Sequence, residues 1–550
     1  MRAVELVLIL LAVAAALHLL AERFGIPRPA LLMLGGLLLA VTPGLPVVEL
    51  PPEVVFLIFV PPLTYVAAFD TSYRDFRRNL GVIARMGVLL VLATMSVVAF
   101  AAHALVPEMT WGAAFALGAI VSPPDAVAVS AVTRRLGVPK IVTTLLDGES
   151  LLNDATAFVA YRMTVAGVVA GTFSLWAAGL RFVLTGAGAI ALGLAVGWLV
   201  LRVRRMIAGE PIVDNAISLL APYAAFIPAE KLELASVLSV VAAGLYLGRQ
   251  APKTISATTR LRVRSVWEVL SFILEGLIFI IIGLELPIVM REVAHYPFGR
   301  LLAYAAVLSA VVVLVRLLYI VPGAYLLPWF RRRIGKRSDY PPLRQVLFVG
   351  WAGIRGADSL VIALALPLRT ASGQPFPARS LIIFLTFAVI LATLLLQGLT
   401  LPLVIRSLGL HPDGREKQEE ASARLKSARA GLARLNELSN HDWAPAHLVK
   451  DLLETYTHRT HRLSEDEHVA HRNRDRKDNQ AYRRLRLEMI AAERAEVIRL
   501  RDADHIGDEV LRRVQQDLDL EEVLLTNPEE GAGHDLSGAN RKGDDRDIRR

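Results

Sequence analysis

The 550-residue chain contains no cysteine. Disulfide scaffolds, zinc ribbons, thiol nucleophiles and iron-sulfur ligation are therefore excluded. Charge is also scarce: Asp, Glu, Lys and Arg make up 20% of the residues against 54% hydrophobic ones, and the mean hydropathy is +0.47. That is too apolar for a soluble enzyme of this length and reads as an integral membrane protein. No Walker-type phosphate loop occurs, which speaks against direct ATP drive. No repeated selectivity-filter loop occurs either, which speaks against a channel.

The charge that is present is uneven. Residues 411–550 hold 26 of the 60 basic and 30 of the 51 acidic groups. The remaining 410 residues carry a surplus of +13, which a membrane protein places at one bilayer face rather than on nucleic acid. Three regions are expected: a transmembrane part over 1–408, a helical cytoplasmic C-terminal domain over 409–526, and a frayed end over 527–550, where Gly, Asp and Arg accumulate.

A helix needs about 20 apolar residues to cross the hydrocarbon. Such runs recur near 4–20, 29–42, 53–69, 80–105, 111–133, 141–169, 174–201, 212–229, 232–248, 265–290, 300–327, 343–368 and 380–408. The expected fold is an all-α integral membrane protein with about 13 transmembrane helices. Loop charge tests that count independently, because Lys and Arg gather on the cytoplasmic side. One alternate set of loops holds 21 basic residues, among them Arg74, Arg77, Arg78, Arg249 and Arg260, and the other set holds 5. Thirteen spans then put the N-terminus outside and the tail in the cytoplasm of a bacterial inner membrane. A cleaved signal peptide over residues 1–20 is disfavoured by Glu5 and by the lack of a small-residue cleavage site before Glu22.

Charges inside spans are costly and mark pathways or relays. They concentrate in spans five, six and twelve. Span five reads GAIVSPPDAVAVSAV, where Pro123 and Pro124 remove backbone donors just before Asp125 and force the helix apart. Span twelve reads FVGWAGIRGADSLVIA, where Gly350, Gly353 and Gly356 surround Arg355 and invite a second unwound stretch. With span seven as a linker, spans 1–6 and 8–13 form two inverted six-helix repeats, each with its broken helix fifth. Secondary transporters have that arrangement, with discontinuous helices crossing near the midplane.

Span six carries KIVTTLLDGESLLNDATAFVAY, placing Asp147, Glu149, Ser150, Asn153 and Asp154 within little more than two turns. Ser150 and Asp154 are four apart and share a face, as do Glu149 and Asn153 on a neighbouring stripe. Asp147 continues the Ser150/Asp154 face towards the cytoplasmic end, where solvation would suffice to explain it. An alkali cation is hard and takes several oxygen ligands, which carboxylates, a hydroxyl and freed carbonyls supply. A carboxylate at Asp154 holds either a proton or a cation, and that exclusivity is what an exchanger needs. Glu149 requires a permanent partner, and Arg355, alone in the middle of the other broken helix, is expected to provide it.

SPPDAVAV, GESLLNDA and GIRGADS resemble the signature segments of the monovalent cation/proton antiporter superfamily, in its bacterial sodium/proton exchanger branch with an Asn-Asp motif. LAPYAAFIPAEKLELASVLSVVAAGLYLG and VWEVLSFILEGLIFIIIGLEL are similar to that family's later helices, so the likeness runs from residue 1 to about 408. The resemblance implies that Asp154 binds Na+ or H+, that Ser150 and Glu149 line the site, and that Asn153 stands where electrogenic relatives carry a second aspartate. It places Asp125 at the helix crossover and pairs Arg355 with Glu149. It also implies a homodimer with a mobile core and a static interface domain. Many relatives have Thr-Asp-Pro at the crossover where this chain has Pro124, Asp125 and Ala126, so Ser122 is the candidate to replace that hydroxyl.

The expected activity is antiport of Na+ against H+, electroneutral at one to one, with the ions as cargo and no cofactor, ATP or nucleic acid. A K+/H+ exchanger, or one taking Li+, would use the same ligand types, and a cation channel or a transport-dead sensor signalling through the tail are readings of a different class. Glu275 in span ten reads as a group bonding the core or tuning cation choice, and Arg316 in span eleven has no partner legible in the sequence. In the tail, Leu485, Met489 and Ala492 keep helical spacing among charges, and three or four helices are expected. His441, His447, His458, His461, His468 and His471 suit a solvated helix surface better than a pH sensor or metal site.

Overall fold

The computed structural model describes residues 2–24, 27–42, 52–125, 129–130, 132–133, 136–170, 175–207, 210–254, 257–333, 340–370, 372–412, 414–439, 441, 444–465, 487–500, 514–515, 517–519 and 522. Its contacts divide it into two compact units, Met1–Pro412 and Asp413–Arg550. Both are helical, and among the described residues the only β pairing is an isolated bridge between Arg369 and Pro375.

In the first unit α1 (Arg2–Phe24), α2 (Arg28–Val41) and α3 (Pro52–Asp70) are followed by α4 (Tyr73–Ala84), which runs through a π-turn, Arg85–Leu90, into α5 (Val91–Leu105). Then come α6 (Trp111–Val121), α7 (Lys140–Ala170), α8 (Leu175–Met206), α9 (Pro211–Lys231), α10 (Ser236–Thr254), α11 (Ala257–Glu292) and α12 (Phe298–Arg333). The last part is α13 (Leu343–Trp351), α14 (Ala357–Leu364) and α15 (Arg379–Thr393), the latter continuing through a second π-turn, Leu394–Gly398, into α16 (Leu399–Ser407). Every apolar run in the sequence overlaps one or more of these helices. Among the described residues, six stretches are long and apolar enough to cross a membrane: Tyr73–Leu105, Gly179–Met206, Ile212–Lys231, Arg262–Glu292, Phe298–Leu326 and Arg379–Ser407. Shorter apolar helices cover Leu8–Ala21, Arg28–Ala40, Val54–Asp70 and Trp111–Val121.

The two interruptions lie where proline and glycine put them. Helix α6 stops at Val121, and Ser122–Asp125 are unwound. The 343–364 segment opens between Trp351 and Ala357, with Ala352 leaving the helical region and Gly356 extended at φ −108° and ψ −173°.

Packing within the unit forms two groups. Helices α1, α2, α3, α9, α10 and α11 pack chiefly on one another and α8 lies against α9 and α10, while α4 to α7 and α12 to α15 form the other group, with sparser contacts between them. Inside the first group, small residues bring backbones together: a Cβ on Gly283 of α11 would stand 2.1 Å from the Met33 carbonyl oxygen, and one on Gly36 of α2 would stand 2.2 Å from that of Ile280. Without a hydrophobic force between helices in lipid, such close van der Waals contact carries their association.

The second unit has α17 (Arg415–Leu438) and α18 (Ala446–Glu465) packed together, and a further helix over 487–500. There Arg494 pairs with Asp519 at 2.7 Å. The segment 527–550, His468 and His471 lie outside the described residues, as do the side chains of His458 and His461.

The α2–α11 contact has no room for a side chain. Gly283→Leu should lower the stability of the detergent-purified protein by about 1–3 kcal/mol, the usual cost of overpacking. Denaturation curves of wild type and variant read this directly, and an unchanged midpoint would show that the two helices do not meet there.

Candidate ion-binding site

The unwound stretches of the two broken helices cross and are tied by backbone groups that no longer serve a helix. The Asp125 N–H donates to the Ile354 carbonyl at 2.7 Å. Arg355, 1% exposed, donates from Nε to the Val121 carbonyl at 2.8 Å and from Nη1 to that of Gly353 at 2.7 Å, and its own N–H donates to Thr393 Oγ1 at 3.1 Å. A guanidinium thus sits at the carbonyl end of the α6 half-helix, where the helix dipole favours a cation. On the other side of the break, Asp358 occupies the first turn of α14, where the dipole favours an anion.

Helix α7 is joined to this crossing by Asn153, fully buried, whose Nδ2 donates to the Pro124 carbonyl at 2.8 Å. Its Oδ1 is buried and has no partner among the described residues, as is Ser359 Oγ beside Asp358. Unpaired buried oxygens of this kind are costly unless something occupies them. Asp125 presses on the second break from the first: a Cβ on Gly356 would stand 2.3 Å from Asp125 Oδ2. Asp154 is half-buried, and Asp358, Asp125 and Glu149 are near enough to act on it electrostatically.

Several expectations need revising against this geometry. Glu149 does not pair with Arg355. It is 1% exposed and accepts from Arg316 of α12, through Nη1 to Oε1 and through Nη2 to Oε2 at 2.8 Å. Arg316 also reaches the Val349 carbonyl from Nε at 3.2 Å and from Nη2 at 3.1 Å, capping the carbonyl end of α13. Gly353 makes room for it, since a Cβ there would stand 2.4 Å from Arg316 Cδ. Arg355 is held by backbone carbonyls instead, because its position inside the break puts loosened C=O groups closer than any carboxylate. Asp147 is engaged rather than merely solvated, accepting from Ser130 Oγ at 3.1 Å.

The remaining candidates divide. Ser150 is half-buried on the Asp154 face of α7. Ser122 is 2% exposed and donates to the Ala119 carbonyl at 2.9 Å, so its hydroxyl hydrogen is used within its own helix while its lone pairs stay available. Glu275 is half-buried in α11 and is not among the charges acting on Asp154. Asp358 was overlooked, although it stands in the GIRGADS segment three residues after the arginine. Among the described residues no three His, Asp or Glu side chains converge as a metal centre.

A family model described as the transmembrane sodium/hydrogen exchanger matches residues 7–407. The chain belongs to the sodium/hydrogen exchanger family. A protein of Mycobacterium tuberculosis named as an uncharacterized Na+/H+ exchanger is 37% identical over 529 residues, covering 95% of this chain and 96% of its own. A sodium, potassium, lithium and rubidium/H+ antiporter of Bacillus subtilis is 29% identical, over 95% of this chain and 78% of its own. Among solved structures, the sodium proton antiporter MjNhaP1 of Methanocaldococcus jannaschii aligns with a TM-score of 0.55 at 19% identity, over 74% of this chain and 99% of that one. That likeness concerns the fold.

Removing one side of a buried ion pair costs about 3–5 kcal/mol, while removing both is often milder. Arg316→Leu and Glu149→Gln should each destabilise the purified protein strongly, and the double variant should lose less than the two losses added. Denaturation midpoints of all three check the pair; strict additivity would separate the residues.

Proposed function

We propose that this member of the sodium/hydrogen exchanger family exchanges Na+ for H+ across a membrane by alternating access, with the two ions competing at Asp154. The observation that supports it is the crossing itself: Asn153, next to Asp154 in α7, is tied to Pro124 of the first break, and Asp125 of that break is tied to Ile354 of the second, while Asn153 Oδ1 has no partner among the described residues. Ser150 adds a hydroxyl on the same helix face, and Ser122 offers lone pairs. The Glu149–Arg316 pair is spoken for, so it holds α7 against α12 rather than carrying cargo. The two packing groups suit a moving core and a fixed frame. The same reading takes the chain as thirteen spans in inverted repeats, a homodimer in the bacterial inner membrane with the N-terminus outside, and residues 409–526 as a cytoplasmic domain followed by a frayed 527–550.

A broader cation range is the second reading, because the Bacillus subtilis relative is named for potassium, lithium and rubidium as well as sodium. The ligand types are the same for each, and cavity size separates them.

Stoichiometry follows from charge. Asn153 is neutral, so α7 offers one exchanging carboxylate in the crossing, and one-for-one exchange moves no net charge. That holds only while Asp125 and Asp358 together keep a constant charge through the cycle. Should either release its proton in each turn, two protons would move per cation and the membrane potential would drive transport.

In proteoliposomes, Asp154→Asn should abolish exchange of Na+ for H+ without loss of folding, since it removes the exchanging charge and nearly keeps the shape. Normal activity of the purified variant would remove Asp154 as the carrier. In the wild type, a potassium-diffusion potential set with valinomycin should leave the Na+ exchange rate unchanged. A rate that follows voltage in the wild type and loses that dependence in Asp358→Asn would overturn one-for-one exchange and make Asp358 the second carrier.

A further inference from the structure

A cavity of about 820 Å3 opens where α3 gives way to α4 and the end of α10 lies alongside. Its wall carries Arg74, Arg77, Arg78 and Arg249, against the single carboxylate of Asp70. The other acid at the start of α4, Asp75, is paired with Lys140 at 3.7 Å. Arg77 and Arg78 make no ion pair or hydrogen bond among the described residues. Arg249 is aimed by its stack on the Tyr73 ring, with the guanidinium carbon 4.5 Å from the ring centre. The floor is built close, because a Cβ on Gly248 would stand 2.2 Å from the Phe69 carbonyl oxygen, so α3 and α10 touch backbone to backbone beneath it.

Arg77, Arg78 and Arg249 leave three exposed guanidiniums at one cavity, a local positive field that attracts an anion. Guanidinium matches the phosphate group with parallel N–H donors, which an ammonium cannot do. The first turn of α4 adds backbone donors that also favour an anion. Two features separate a lipid from a dissolved anion. The cavity lies at the ends of apolar helices, where a headgroup would stand, and basic sites of this kind between spans suit acidic headgroups. One turn beyond the arginines on α4, Leu80 (43% exposed) follows Arg77 and Val82 (37% exposed) follows Arg78, so each of these arginines has exposed apolar surface beside it on which an acyl chain can lie.

We propose that the cavity between α3, α4 and α10 binds the phosphate headgroup of an acidic phospholipid, clasped by Arg77, Arg78 and Arg249. The proposal rests on the chain spanning a membrane and is independent of which ion the crossing carries. Occupancy would brace α4, which leads into the core group, against α3 and α10 of the other group.

The test uses the full chain purified in neutral detergent, and reads its melting temperature as phosphatidylglycerol, phosphatidylcholine or inorganic phosphate is added. Phosphatidylglycerol should raise the melting temperature in the wild type, and the other two should not. In Arg78→Gln/Arg249→Gln the phosphatidylglycerol concentration needed for the same rise should increase at least about tenfold, which corresponds to about 1.4 kcal/mol. Arg202→Gln/Arg205→Gln, the same charge change at the end of α8, should respond like wild type. An undiminished response in the cavity variant, or an equal loss in the α8 variant, would overturn the site. An equal rise with inorganic phosphate would overturn the lipid in favour of a dissolved anion. Because the readout is binding, failure of Na+ exchange would leave this result standing, and the reverse.

Discussion

A helix broken inside a membrane leaves carbonyls and amides that no water reaches, and each must find a partner within the protein. Two arginines answer that demand. Arg355 takes the carbonyl end of α6 together with the loosened Gly353 carbonyl, and Arg316 takes the carbonyl end of α13 while closing on Glu149. Without these cations the two half-helices would end in unpaired dipoles, and the acidic groups beside them would have no counterweight. The glycines around Arg355 belong to the same solution. Gly353 leaves the space that Arg316 fills, and Gly356 leaves the space that Asp125 fills.

The crossing is tied into α7 by a single amide. Asn153 donates from Nδ2 to the Pro124 carbonyl, which lies in the unwound stretch and serves no helix, and its Oδ1 has no partner among the described residues. A second aspartate at that position could not donate the same hydrogen bond while ionised. The neutral residue therefore does two things at once: it fastens the break and it limits the charge in the site.

Much of this was legible in the chain itself. Pro123-Pro124 and the glycines around Arg355 mark both breaks because they act locally, by removing donors or side chains. The apolar runs mark the helices for the same reason, and the Ser150/Asp154 face follows from helical spacing alone. The partner of Glu149 was not legible. Arg316 lies 167 residues away in an apolar run with nothing around it to signal a role, whereas Arg355 sits in a motif and drew the assignment. Buried pairs are chosen by three-dimensional proximity, and an arginine inside a break is claimed first by the carbonyls around it. Asp358 was missed for a related reason: it opens α14 just after the second break, and only the crossing of the two breaks, tied by Asp125 to Ile354, joins that segment to the rest of the candidate site.

Motion in such a molecule has to respect what is tied. Asn153 to Pro124, Asp125 to Ile354, Arg355 to Val121 and Arg316 to both Glu149 and Val349 bind α6, α7, α12, α13 and α14 to one another. Breaking any of these would expose a buried polar group, so the set travels together if it travels at all. The α2–α11 and α3–α10 contacts are backbone to backbone and leave no slack in the opposite group. Any sliding in the proposed exchange cycle would fall at the seam between them, where contacts are sparser. Arg162, two turns beyond Asp154 on α7, crosses towards that opposite side to pair with Glu230 of α9, and both side chains are more than a third exposed. A half-wet pair is weak enough to exchange its partner for water. Helix α7 is therefore held hard where it meets the crossing and more weakly at its Arg162–Glu230 pair with α9, the distribution of strength that the proposed alternating access requires.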